Sequence, residues 1–164
     1  MPVLKGKKIL LGVSGSIAAY KAAYLVRLLI KEGAEVKVVM TPCAEEFITA
    51  TTLSTLSRNP VYRGFFNSGA GGDPSRTLFV DHVELSRWAD LLLVAPATAN
   101  TIACFANGLC QNILHAVYLS AKCPVYVVPA MDEDMYNHGA VKKNLSTLQN
   151  IGNIIIPCEK GDLA

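Results

Sequence analysis

Short, nearly unbroken apolar runs alternating with helix-patterned stretches constrain this chain more than any other feature. Lys8–Val13 (KILLGV), Glu35–Met40 (EVKVVM), Asp90–Ala95 (DLLLVA) and Pro124–Val128 (PVYVV) are strand-length segments that lack a consistently polar face. A strand with one face in water alternates, whereas a strand covered on both faces does not need to. Between the runs, Ile17, Tyr20, Leu25, Leu28 and Leu29 recur at helical spacing up to Lys31, and Gly33 supplies a stop. The pattern further predicts helices over Ala44–Leu56, Val83–Trp88, Thr101–Ala121 and Val141–Asn150. It also predicts short strands at Val61–Phe65 and Asn153–Ile156, and a loop at Ser68–Arg76 (SGAGGDPSR). The expected fold is α/β: a three-layer, Rossmann-like or flavodoxin-like parallel sheet with helices on both faces. With no repeat, linker or low-complexity tract, residues 1–164 read as a single domain.

Composition narrows the function classes. Hydrophobic residues make up 51% and charged residues 17%, which is too apolar for disorder and points to apolar surface that other subunits would cover. A net charge of +2 with scattered Lys and Arg gives no nucleic-acid or anionic-membrane footprint. Lys5–Val13 mimics the start of a signal peptide, but its apolar run stops at Ser14, and no segment approaches a membrane span. A cytoplasmic protein is expected. The five cysteines, Cys43, Cys104, Cys110, Cys123 and Cys158, lack paired metal spacing, and four in apolar surroundings read as buried thiols.

The first strand-to-helix turn reads Gly12-Val13-Ser14-Gly15-Ser16-Ile17-Ala18. Glycine permits a tight turn, and amides at the following helix start can hold an anion with help from the serine hydroxyls. The Gly-x-x-Gly-x-x-Ala spacing is not the dinucleotide fingerprint, no acidic residue ends the second strand, and no Gly-Lys-Ser/Thr follows. With Thr41 beside it, the turn suits a terminal phosphate monoester. A plain turn with a serine N-cap is the alternative. After Asp90–Ala95 comes Pro96-Ala97-Thr98-Ala99-Asn100-Thr101. Its small residues leave room for a flat ring at the carboxyl edge of a parallel sheet, although an N-capped helix would also account for it.

Taken together, Gly12–Lys21 (GVSGSIAAYK), His82–Asp90 (HVELSRWAD), Ala95–Thr101 (APATANT), Gly108–Leu114 (GLCQNIL) and Pro129–Tyr136 (PAMDEDMY) resemble the flavin-dependent cysteine decarboxylases. The resemblance is strongest to phosphopantothenoylcysteine decarboxylases, including the amino-terminal half of the bacterial bifunctional enzyme of coenzyme A biosynthesis. It implies FMN as cofactor. By position it assigns the phosphate to Gly12, Ser14, Gly15, Ser16 and Thr41, and the flavin to Pro96, Ala97, Thr98, Ala99 and Asn100. Threonine at 98 replaces the family's serine and keeps the hydroxyl. The resemblance casts His82 as the active-site base, a role suited to a side chain that exchanges protons near neutral pH. His115 and His138 match no catalytic position and are read as structural.

The resemblance assigns substrate contacts to Asn112, Ala130, Met131, Asp132 and Met135. Asp132 stands where the family has asparagine, and a carboxylate accepts hydrogen bonds without donating them. It would repel the departing carboxylate unless its partner is an amide N–H. Tyr136 replaces a tryptophan and keeps an aromatic wall. The family's catalytic cysteine belongs to a glycine-rich flap, and Gly161–Ala164 falls where that flap should begin; Cys158, directly after Pro157, lies too early.

The implied reaction is oxidation of the cysteinyl part of 4′-phosphopantothenoylcysteine to a thioaldehyde, loss of CO2, and return of the electrons to give 4′-phosphopantetheine. The resemblance further implies a homotrimer or homododecamer, fused to or working with phosphopantothenate-cysteine ligase. The rival readings are a peptide cysteine decarboxylase, a flavin prenyltransferase and a non-catalytic flavin-binding regulatory subunit.

Overall fold

The computed structural model describes residues 2–64 and 81–157; the segment Ser68–Arg76, Phe65, Cys158 and Gly161–Ala164 lie outside them. Among the described residues, six strands form one sheet: β1 (Lys8–Val13), β2 (Glu35–Met40), β3 (Val61–Tyr62), β4 (Leu91–Ala97), β5 (Val125–Pro129) and β6 (Ile154–Ile155). Their order is β3-β2-β1-β4-β5-β6 and every pairing is parallel. This is the dinucleotide-fold order, with its reversal between β1 and β4. A crevice opens at such a reversal, at the carboxyl edge of the strands.

The helices are α1 (Lys21–Lys31), α2 (Ala50–Ser57), α3 (Asp81–Trp88), α4 (Ala99–Ala106), α5 (Ile113–Ser120), α6 (Glu133–Asn137) and α7 (Gly139–Asn150). Alternate side chains of β1 and β2 enter two separate cores. Ile9, Leu11 and Val13 meet Val26 of α1 and Leu53 of α2. Leu10 and Val39 join Leu85, Ile102, Phe105, Val117 and Leu148 on the other face. Both faces of these strands are therefore dry, which explains the lack of polar alternation.

The expected helix over Thr101–Ala121 is instead two helices, and the break has a local cause. Gly108 adopts φ +66°, a left-handed conformation that suits glycine. The Gly108 N–H reaches the Phe105 carbonyl at 3.3 Å and the Leu109 N–H reaches the Cys104 carbonyl at 2.9 Å, closing α4 as a Schellman motif. Asn112 then caps α5, its Oδ1 accepting from the His115 N–H at 3.1 Å. The Asn107-Gly108 pair carried this signal in the sequence.

The helix expected over Ala44–Leu56 is also divided. A 3-10 turn at Pro42–Glu46 precedes α2, whose N-cap Thr49 accepts from the Thr52 N–H at 3.1 Å. Short α6 was not anticipated. Of the described cysteines only Cys104 is buried; Cys123 is half-buried, and Cys43 and Cys110 are exposed because they sit in turns. No helix among the described residues is long and apolar enough to cross a membrane.

Candidate functional site

The turns after four neighbouring strands are laced together along the carboxyl edge. The Thr41 N–H donates to the Val13 carbonyl at 3.0 Å, joining the ends of β2 and β1. The Ser14 N–H donates to the Pro96 carbonyl at 3.2 Å, and the Ala130 N–H to the Ala97 carbonyl at 3.0 Å. The Ser14 hydroxyl adds a second tie, donating to the Pro96 carbonyl at 2.6 Å and accepting from the Thr98 N–H at 2.9 Å. These bonds hold the β1, β2, β4 and β5 turns in one fixed rim.

Above that rim lies a cavity of about 640 Å³. Gly15, Ser16, Thr41 and Cys43 line one part of it, and Thr98, Ala99, Asn100 and Thr101 another. Gln111 and Asn112 from the α4–α5 turn, with Ala130, Met131, Asp132 and Met135, form the rest of its lining among the described residues. Residues of both turns thus face one space, together with all five residues assigned to the substrate.

Five of the assigned positions are not among the described residues that line this cavity. Gly12 lies within β1, paired with Val39 and Val94, and a Cβ there would come 2.6 Å from Leu114 Cδ1. Its missing side chain accommodates α5 rather than a ligand. Pro96 and Ala97 are buried at the end of β4 with their carbonyls already accepting hydrogen bonds. Ser14 is 1% exposed, and its hydroxyl is committed to the β4 turn, so it shapes the rim without facing the cavity. His82, half-buried in the first turn of α3, is not among the lining residues. Its carbonyl accepts from the Ser86 hydroxyl at 2.8 Å. Conversely, Pro42, Cys43, Thr101 and Gln111 line the cavity without having been assigned to it. Pro42, Thr101 and Gln111 adjoin assigned positions, which was their only sequence signal.

Several polar side chains are used locally. Thr98 caps α4, accepting from the Thr101 N–H at 3.2 Å. Ser16 Oγ accepts from the Ala18 N–H at 3.2 Å, which leaves its proton available to a ligand. Asp132 caps α6 through Oδ1, which accepts from the Met135 N–H at 2.8 Å. His115 is fully buried beside Asn112, and its Nδ1 accepts from the Gln111 N–H at 3.2 Å. Burial pushes its pKa below the ordinary histidine value. His138 is exposed and caps α7. Both histidines outside the active-site assignment therefore have structural work.

Thr41 is the exception. It is 6% exposed, and its hydroxyl is the one buried side-chain polar atom among the described residues that lacks a hydrogen-bond partner. Buried polar groups are normally paired, so an unpaired donor in a cavity wall marks where a ligand acceptor belongs. A second hollow of about 450 Å³ at the amino edge offers no such group. Its Tyr118 hydroxyl and Asn153 amide already bond each other at 3.1 Å.

The fold and this cavity define a doubly wound α/β domain with a cavity at its topological switch point. The family model described as Flavoprotein matches residues 3–164, and the chain belongs to that family. It is 47% identical over 152 residues to the coenzyme A biosynthesis bifunctional protein CoaBC of Vibrio vulnificus strain YJ016, covering 93% of this chain but 36% of that protein. The chain thus spans about a third of that relative's length. Among solved structures it matches a PPC decarboxylase cysteine-to-serine mutant complexed with pantothenoylaminoethenethiol, with TM-score 0.82 and 32% identity over 98% of this chain and 86% of that one. It also matches the FMN-dependent cysteine decarboxylase SpaF, with TM-score 0.83 and 29% identity over 94% and 85% of the two chains.

Proposed function

We propose that this protein is the FMN-dependent decarboxylase that converts 4′-phosphopantothenoylcysteine into 4′-phosphopantetheine in coenzyme A biosynthesis. The observation that carries the cofactor part is the unpaired Thr41 hydroxyl, set beside Gly15 and Ser16 in a cavity at the switch point. Those residues fit a phosphate monoester held by hydroxyls and turn amides. The substrate part rests on kinship with CoaBC and the PPC decarboxylase.

In this reading Thr41 and Ser16 donate to the FMN phosphate, and the Thr98–Asn100 turn lies along the flavin. When bound, FMN supplies a reversible two-electron acceptor for the cysteinyl carbon–sulfur unit. Ala130, Met131 and Met135 exclude water around the substrate, and Asn112 supplies a neutral polar contact. His82 takes the proton of the substrate thiol, which lets the carbon–sulfur unit be oxidised and CO2 leave.

His82 does not line the cavity within one chain, which supports a site completed between copies, in a homotrimer or homododecamer. Exposed Ile17, Tyr20, Tyr24 and Leu28 give such copies an apolar face; Tyr24 is 67% and Leu28 60% exposed. The domain reading is a decarboxylase unit fused to or working with phosphopantothenate-cysteine ligase. Cytoplasmic location is in keeping with the four described cysteines being unpaired.

The test is direct. Protein loaded with FMN is mixed with phosphopantothenoylcysteine, and CO2 and phosphopantetheine are measured, for residues 1–164 and for a form extended beyond Ala164. Flavin binding without turnover in the extended form would overturn the decarboxylase reading. Failure to take up FMN would overturn the cofactor reading as well.

A further inference from the structure

Among the described cysteines, Cys104 is buried and Cys123 half-buried, and burial pushes both thiols above the ordinary cysteine value. Cys43 and Cys110 are exposed, and of these only Cys43 lines the cavity at the switch point. A Cβ built on Gly15 would lie 2.5 Å from Cys43 Cβ, so the cysteine side chain starts against the bare backbone of the first turn. A group joined to the Cys43 sulfur therefore stands in the space beside Gly15 and Ser16. The same stretch of wall holds the Thr41 hydroxyl, in a residue 6% exposed, without a hydrogen-bond partner among the described residues. That donor is unspent, and a carboxylate meets it as well as a phosphate does. An accessible thiol beside an unspent donor suits a reagent that carries a disulfide and, a few bonds away, an acid.

We propose that Cys43 is a thiol-modification site that takes small acid-bearing disulfides and, once modified, keeps FMN out. The Cys43 thiolate attacks one sulfur of the disulfide, and the old S–S bond breaks as the new one forms. The departing half leaves as a thiolate and takes up a proton in place of the one Cys43 lost. Cys43 is thereby oxidised to a mixed disulfide, and the departing half is reduced to a thiol. The acid on the attached half accepts from the Thr41 hydroxyl, the place given to the FMN phosphate in the reading above. Bound FMN and modified Cys43 exclude each other, so cofactor loading follows the thiol–disulfide balance. This inference goes beyond the decarboxylase reading, and rests on its cofactor part only for the exclusion of FMN.

The probes are dithiodiglycolate, an acid-bearing disulfide, and hydroxyethyl disulfide, a neutral one of similar length. Cofactor-free protein is treated with each, and adducts at Cys43, Cys104 and Cys110 are followed by peptide mass spectrometry. Exposed Cys110, which does not line the cavity, is the internal reference for reactivity. Relative to Cys110, Cys43 should favour dithiodiglycolate about three- to tenfold, the scale of one hydrogen bond, and Thr41→Val should abolish that preference. FMN added first should protect Cys43 but not Cys110. Protein modified first should take up no FMN until dithiothreitol releases the adduct, whereas Cys43→Ala should show the same FMN affinity before and after treatment. Equal preference at the two cysteines, or a preference that survives in Thr41→Val, overturns the acid-directed site. Adducts on buried Cys104 that match those on Cys43 overturn it too, because they report an opened chain. If FMN binds but leaves Cys43 reactive, or treatment weakens FMN binding equally in Cys43→Ala, the exclusion fails and the cofactor reading stands. If untreated protein takes up no FMN, the cofactor reading falls and the exclusion falls with it.

Discussion

Ser14 and Pro96, 82 residues apart in the chain, are joined by a 2.6 Å hydrogen bond from the serine hydroxyl to the proline carbonyl. The same hydroxyl accepts from the Thr98 N–H, so one buried atom holds the phosphate turn to the ring turn. The hydroxyl of Ser14 is thus a fastener between the turns that follow β1 and β4. Ser14→Ala should lower unfolding free energy by about 1–3 kcal/mol, because Thr98 N–H loses its acceptor and the Pro96 carbonyl loses its shorter partner. Urea denaturation checks this, and flavin affinity should fall in parallel. An unchanged midpoint would mean that the tie is dispensable.

At Gly15 the constraint is steric. A Cβ would sit 2.5 Å from Cys43 Cβ and 2.7 Å from the Cys43 carbonyl carbon, so backbone itself would have to move. Gly15→Ala should pull the β1 and β2 turns apart and yield folded protein with little bound flavin. Absorbance of the purified protein and its circular dichroism separate the two effects; a fully yellow variant would contradict the close approach.

Thr41→Val tests the unpaired hydroxyl with almost no change in shape. Without cofactor the variant should be as stable as the parent or slightly more so, because a buried unsatisfied group is gone. FMN affinity should fall about tenfold, while riboflavin, which lacks the phosphate, should bind both proteins alike. Equal loss for both flavins would place Thr41 somewhere other than the phosphate.

His115 makes stability depend on pH. Its ordinary value is 6.5, and burial lowers it in the folded protein, so on acidification the unfolded chain takes up the proton first. Stability is therefore complete above about pH 6.5 and is lost as pH falls through the lowered folded-state value. Protonation would also set an Nδ1–H against the Gln111 N–H that Nδ1 now accepts. Denaturation midpoints from about pH 8 to pH 5 should drop on the acid side in the wild type and less so in His115→Gln. Parallel curves would assign the acid loss to other groups.

For His82 the expectation is a separation of colour from chemistry. His82→Asn should keep FMN, since the side chain is not in the cavity wall, and should lose about a hundredfold or more in turnover if it serves as the base. Retained activity would remove His82 from the mechanism.

The sequence by itself determined the layers. Runs such as Lys8–Val13 and Leu91–Ala97 carry too little polarity to face water on either side, so a parallel sheet covered by helices was legible before any coordinates. Small-residue turns after β1 and β4 likewise marked the rim of the site. Tertiary structure alone decided which of those turn residues face the cavity. Spacing cannot tell the Ser14 hydroxyl, satisfied across the β1–β4 boundary, from the Thr41 hydroxyl, which finds no partner among the described residues. The same holds for Gly12 and Gly15, one relieving contact with a helix and the other with a neighbouring turn. Whether a donor is spent or free depends on contacts between residues distant in the chain, and only the closed sheet brings those together.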